Sequence, residues 1–281
     1  MATMARIAAG QFFLAAPVTT EPPNPVPTTP GAVPSTSAQR ADVIAQLAAH
    51  RIFDVRMARR AGIPVHAATP QGVLAAAPGV AEFAVDLVRG AGLGEVALVT
   101  EVVRTDESGA DSAGDLAARH GLEIVSSDLI VAERLRTWPL AIRGPEIALP
   151  TEQGVLLATG YRDSHSGAEH LVLRGPNTNP AGVPAVHVHQ HCPAGDVFGA
   201  LTCSCRAQLD TALAEMATSG TGITVYLRDT AARLRHPEPR LDERRAHLVA
   251  SMLQDLHVRR VQLRGDDEQQ RAALRDRDIA C

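Results

Sequence analysis

Apolar positions recur at helical spacing in several stretches of the chain. Val43, Ile44 and Leu47 fall on one side of a helix expected over residues 39–49, and AEFAVDLVR (81–89) is amphipathic and stopped by Gly90 and Gly92. VALVTEVV (96–103) is rich in β-branched residues and predicts a strand. A helix is expected over 112–120, closed by Gly121, then a short strand over 122–125 and a helix over 127–136 with Ser127 and Asp128 as caps. This alternation predicts a mixed α/β layer. The pattern breaks at 149–154, which marks an expected boundary. Beyond it, alternating segments at 155–161 and 170–174 flank the turn-rich DSHSG and predict antiparallel strands. Further strands are expected at 185–191, 222–228 and 260–264, and helices at 207–218, 242–256 and 266–275. In the second of these helices Leu248, Met252 and Leu256 stand four apart. The expected fold class is α+β, built as two mixed α/β lobes. A Pro/Thr-rich segment over 1–38, read as loop or linker, precedes a lobe over 39–147 and a domain over 148–281.

Composition narrows the chemistry. The 281 residues carry 45% hydrophobic but only 3% aromatic side chains, so the core is mostly Ala, Val and Leu. A net charge of −4 with no basic block gives no footprint for nucleic acid. No lysine occurs, which excludes a Schiff-base or P-loop lysine in this chain. The apolar run at 7–18 is interrupted by Gly10 and Gln11 and lacks a strong charged lead, so a cytoplasmic chain without a membrane span is expected.

Three of the four cysteines crowd into HCPAGDVFGALTCSC (191–205), spaced Cys-x10-Cys-x-Cys. Close thiolates suit zinc, which prefers a tetrahedron of four ligands. Cys192, Cys203 and Cys205 leave one position open, as a catalytic zinc requires, unless Cys281 or a histidine closes it. His187, His189 and His191 alternate just before the cluster and would share one face of a strand. That face could look toward the metal, a substrate or solvent.

The stretch CPAGDVFGALTCSCRAQL (192–209) resembles the zinc signature of GTP cyclohydrolase II, whose pattern is close to RVHSECLTGDVFGS, then RCDCG, then QL. The resemblance implies a zinc enzyme that opens the imidazole ring of GTP, releasing formate and pyrophosphate, at the start of riboflavin synthesis. It implies Cys192, Cys203 and Cys205 as zinc ligands, Gln208 as a nucleotide contact, and His187, His189 and His191 at the substrate-contacting positions. LDERRAHLVASMLQDLHVRRVQL (241–263) continues the likeness and implies Asp242 as proton acceptor and Arg244 as a group acting at the α-phosphate. A homodimer is implied as well, and Mg²⁺ is a further cofactor to consider alongside the nucleotide. Residues 60–103 are similar to the second half of 3,4-dihydroxy-2-butanone-4-phosphate synthase.

The departures from both patterns are specific. The synthase family's Gly-His-Thr-Glu reads Gly79-Val80-Ala81-Glu82, and valine cannot hold Mg²⁺. Its acidic metal-binding segment is missing, so no synthase activity is expected. In the cyclohydrolase-like part, RVHSE becomes His187-Val188-His189-Gln190-His191 and the arginine before the second cysteine becomes Thr202. The family's QEGRGIGL reads from Asp229 to His236, the stretch after it is deleted, and a phosphate-binding lysine becomes Gln270. Losing partners for a base edge and for phosphate weakens recognition of GTP. Three readings stand open: a cyclohydrolase acting on GTP or a related heterocycle, a catalytically silent zinc-binding homologue, and a zinc module without a nucleotide.

Overall fold

The computed structural model describes residues 12–17, 38–39, 42–44, 58, 63–75, 77–100, 113–179, 181–228 and 241–281. Most of the expected 1–38 segment and the whole of the stretch from Asp229 to His236 lie outside them. The chain divides into two compact units, Met1–Arg134 and Leu135–Cys281.

In the first unit a three-stranded sheet has the order β2–β1–β3, with β1 (Phe12–Pro17) central, parallel to β2 (Val65–Ala68) and antiparallel to β3 (Ala97–Thr100). The interrupted apolar run near the N-terminus therefore supplies a strand. Helix α1 (Val80–Gly90) lays its apolar stripe on the sheet, with Ala81 and Val85 packed against Ala68 and Ala97. Two helices follow, α2 (Ala113–His120) and α3 (Ser127–Thr137). The cap of α3 is Ser126, whose Oγ accepts the Leu129 N–H at 3.3 Å, one residue ahead of the expected caps. The strand expected at 122–125 does not form: these residues are exposed, and none of the described strands pairs with them.

The second unit is built on a six-stranded sheet of order β4–β5–β6–β8–β7–β9. Strands β4 (Ala141–Thr151), β5 (Gly154–Asp163), β6 (Glu169–Arg174) and β8 (Ile223–Leu227) are antiparallel, while β7 (Ala185–Gln190) runs parallel to β8 and to the short β9 (Gln262–Leu263). The boundary expected after residue 147 falls inside β4, which is hydrogen-bonded to β5 along its length. Pro145, Pro150 and Gly144 disguise this strand. All three are tolerable because β4 is an edge, mostly exposed, with a bulge between Arg143 and Glu146. The buried Arg277 donates to the carbonyls of Leu135 and Trp138 and to Gln254, tying the start of this unit to its end.

Helices cover the sheet on both faces. Helix α4 (Cys205–Ser219) packs Met216 and Leu213 on Leu156, Ala158 and Leu173, and ends on Gly220, whose φ of 67° favours glycine. Helix α5 (Glu243–Asp255) is buried from Ala246 to Leu253 and is anchored where Ser251 accepts the Leu140 N–H and Asp255 accepts the Tyr161 hydroxyl. Helix α6 (Glu268–Asp276) packs beside α5. Parallel β7 and β8 both point their carboxyl ends at the loop that carries the cysteines.

Candidate active site

Cys192 follows β7 directly, and a single π-helical turn over Pro193–Val197 brings the chain back so that Cys203 and Cys205 meet it at the start of α4. The three Sγ atoms lie within 4.8 Å of one another, and those of Cys192 and Cys203 are 3.8 Å apart. Two thiolates on a tetrahedral zinc, each about 2.3 Å from the ion, stand about 3.8 Å apart. The turn needs glycine at 195 for space: a Cβ there would lie 2.8 Å from the Cys203 Sγ and 3.1 Å from the Cys205 Cβ. The Gly195 N–H points at the Cys192 Sγ, 3.4 Å away. No disulfide links these cysteines. Burial, together with the neighbouring Cys192 and Cys203, pushes the Cys205 thiol up to about 12, whereas the Cys205 N–H lowers that of Cys203. A cation among three sulfurs would reverse the crowding that holds the proton on Cys205. The donor set, spacing and cradle fit zinc.

Asp196, on the turn between the cysteines, braces the cluster from behind. Its carboxylate accepts the Cys192 N–H at 2.9 Å and the Tyr226 hydroxyl at 2.8 Å, and lies 3.0 and 3.1 Å from the His189 Nε2. Burial alone would raise its pKa, but these hydrogen bonds outweigh burial and hold the carboxyl below its usual range. The His189 ring also stacks on Tyr226, with centroids 5.2 Å apart.

The three histidines have separate surroundings. His189 is buried and engaged with Asp196, so it supports the cluster rather than facing an open site. His187 lines an open groove of about 950 Å³ along α4, together with Gln208, Glu215 and Arg264. Its Nε2 has no hydrogen-bond partner among the described residues, and burial lowers its pKa. Gln208 donates to the Ser204 Oγ at 3.0 Å at the cysteine end of that groove. His191, beyond the end of β7, places its ring 5.8 Å from Tyr226.

Asp242 and Arg244 are adjacent but point to different work. Asp242 caps α5, its carboxylate accepting the Arg245 N–H at 2.8 Å while the side chain stays largely exposed. Arg244 donates to the buried Asp163 at 2.8 Å. Arg245 reaches the Gln190 Oε1 at 3.2 Å, so the start of α5 touches the end of β7 just before the cysteines. Asp163, Asp196, Tyr226 and Arg245 were not singled out by sequence reasoning for these roles. An aspartate inside the cysteine spacing was the one visible signal among them.

In the first unit Glu82 and Asp86 also serve as braces. Glu82 accepts the N–H groups of Thr69 and Gly79, each at 2.9 Å, and Asp86 accepts that of Val73 at 2.9 Å beside Arg89 and Arg134. Val80, in place of the synthase family's histidine, is exposed. Among the described residues, the cysteines are the group of donors arranged to hold a metal.

Comparison with known proteins agrees with this division. Residues 143–281 match the family model of GTP cyclohydrolase II, and residues 34–133 match that of 3,4-dihydroxy-2-butanone 4-phosphate synthase. The chain is 35% identical over 200 residues to the riboflavin biosynthesis protein RibBA of Salinispora arenicola, covering 70% of this chain and 47% of that protein. It is 35% identical over 182 residues to the RibBA of Rhodococcus erythropolis, covering 62% of this chain and 43% of that protein. The matched stretches thus span under half the length of these relatives. The crystal structure of RibBX from A. baumannii, described as a two-domain 3,4-dihydroxy-2-butanone 4-phosphate synthase, superposes with a TM-score of 0.52 at 23% identity, covering 94% of this chain and 81% of that one. That likeness shows a shared two-domain α/β fold.

Proposed function

We propose that the chain is a zinc-dependent hydrolase of the GTP cyclohydrolase II type, opening the imidazole ring of GTP or a related purine nucleotide with release of formate in riboflavin biosynthesis. The observation that carries this reading is the cysteine cluster: three sulfurs within 4.8 Å of one another, two of them 3.8 Å apart, cradled at Gly195 and braced by Asp196, inside the region matched by that family's model. Zinc held by Cys192, Cys203 and Cys205 would supply Lewis-acid activation of water at its fourth position. Asp196 fixes Cys192 through its backbone N–H and keeps His189 and Tyr226 in place behind the sulfurs. His187 and Gln208 line the groove that would take the nucleotide, with Mg²⁺ accompanying it. Asp242 would accept a proton near the ring, and Arg244 would meet phosphate after exchanging its Asp163 partner for the substrate. The working form is a cytoplasmic homodimer.

The N-terminal unit has no dihydroxybutanone phosphate synthase activity in this reading. Its Glu82 is occupied by backbone N–H groups, and Val80 offers no ligand.

A second reading is favoured by one set of contacts: His189, Asp242 and Arg244 each already have a structural partner. In that reading the chain is a silent zinc-binding homologue acting as a structural or regulatory partner. Incubating the zinc-loaded protein with GTP and Mg²⁺ separates the two. Sustained formate release, abolished in Cys203→Ser, is the outcome expected of the hydrolase. No formate and no change of Tm on adding GTP would leave the silent reading.

A further inference from the structure

The three sulfurs come from two pieces of chain, and the loop that joins them packs poorly. Cys192 opens the π-helical turn, while Cys203 and Cys205 lead into α4. Between them Val197, Phe198 and Leu201 are 66%, 76% and 101% exposed, so the apolar side chains of the joining loop contribute little burial to fix the turn against the helix. The cap of α4 does not fix it either. Ser204, at the N-cap, makes no side-chain cap bond and instead accepts from Gln208. Yet the turn sits close: a Cβ at Gly195 would lie 2.8 Å from the Cys203 Sγ.

Arg206 spans this gap. It follows Cys205 in the first turn of α4, and its Nη1 donates to the Asp196 carbonyl oxygen at 3.1 Å. One turn along the helix, both carboxylate oxygens of Asp210 accept from the Arg206 Nε at 2.9 Å and so aim the guanidinium. Asp196 is itself closed onto Cys192. Its N–H donates to the Cys192 carbonyl at 2.7 Å, and its carboxylate accepts the Cys192 N–H at 2.9 Å. A continuous set of polar contacts thus runs from Cys192 through Asp196 to Arg206, the residue next to Cys205. The helix gains little from this arginine. A cation in the first turn faces the positive end of the helix dipole, and an arginine four residues before an acid is the less favourable order for such a pair. The cyclohydrolase pattern has glycine at this position, so the contact comes from this chain's own departure.

We propose that Arg206 is a positioning residue for the metal centre, a strap that fixes the turn of Cys192 against the helix of Cys205 and so holds the three sulfurs ready for the ion. It acts through the Asp196 backbone. The strap rests on the zinc reading of the cluster.

The test is chelator competition for zinc on the full chain, with cobalt(II) as a visible probe of the bound donor set. The Arg206–Asp210 pair is about half exposed, and exposed pairs contribute modestly. Arg206→Met is therefore expected to lower zinc affinity about three- to tenfold at unchanged stoichiometry, with the Tm of the metal-free chain and the cobalt bands at saturation like the parent's. Asp210→Asn leaves Arg206 in place but loosens its aim, and should cost about two- to threefold. The double variant should lose no more than Arg206→Met alone, because both changes break one strap. Arg206→Lys keeps a charged donor for the Asp196 carbonyl and should recover about half of the loss. Arg275→Gln removes an exposed, paired arginine on α6 and should bind zinc like the parent. Parent-like affinity in both Arg206→Met and Asp210→Asn overturns the strap. So does a fall in Tm without a fall in affinity, a loss matched by Arg275→Gln, or no recovery in Arg206→Lys. A parent chain that takes up neither zinc nor cobalt overturns the zinc reading and the strap together, whereas metal held equally by parent and variants overturns the strap alone.

Discussion

The two units treat metal-type ligands in opposite ways. In the first, Glu82 accepts the backbone N–H groups of Thr69 and Gly79, and Asp86 turns one oxygen to the Val73 N–H and the other toward Arg89 and Arg134. In the second, the three sulfurs of Cys192, Cys203 and Cys205 converge on one another, and other groups brace them from behind. A carboxylate fits readily into scaffold because backbone N–H groups satisfy it. Three thiols make poor scaffold: they are weak hydrogen-bonding groups, and crowding them raises the cost of ionising any one. An ion between them would explain their convergence, whereas the acids of the first unit need none.

Breaking the cysteine side of this contrast has the largest expected effect. Cys203→Ser should reduce bound zinc from one ion per chain to near none, read by elemental analysis after dialysis, because two thiolates do not complete a tetrahedral site. Gly195→Ala comes next. Its new Cβ would sit 2.8 Å from the Cys203 Sγ, so the turn must open. Zinc affinity in a chelator competition should fall by at least as much as for the loss of a supporting contact. That smaller loss is set by Asp196→Asn, expected to weaken zinc binding about 10- to 100-fold with all three cysteines intact. Unchanged zinc affinity in Asp196→Asn would show that the carboxylate does not brace the site.

The acidic side predicts stability effects without a metal effect. Glu82→Gln should destabilise the first unit by about 1–3 kcal/mol in urea unfolding and leave zinc content unchanged, since it loses charged hydrogen bonds to Thr69 and Gly79. Burial would raise the Glu82 pKa, but those bonds together hold it below its usual value. A carboxyl depressed in the folded state stabilises above its unfolded pKa, near 4.3, and loses that contribution as pH falls through the folded value. The parent should therefore lose its advantage over Glu82→Gln between about pH 5 and pH 3. A difference that persists at pH 3 would mean the charge is not responsible.

Much of this was legible in the residues. The spacing of Cys192, Cys203 and Cys205 announced a cluster of sulfurs that could hold a metal, and the period of Leu248, Met252 and Leu256 announced the central helix. Strand β4 was not legible, because prolines at 145 and 150 read as loop when nothing in the sequence says the strand is an edge. The role of Asp163 was equally hidden. It depends on a helix more than seventy residues away. Alternation left the face of His189 open to metal, substrate or solvent, and the resemblance put it at a substrate-contacting position; neither reveals its partner, Asp196.

The central claim is that the cysteines hold a zinc with one position left for chemistry. X-ray absorption at the zinc edge of the loaded protein tests it most directly. The account predicts three sulfurs at about 2.3 Å and one light oxygen-type ligand, without imidazole scattering because His189 is engaged by Asp196. Four sulfurs, with Cys281 closing the shell, or a coordinated histidine, would contradict it.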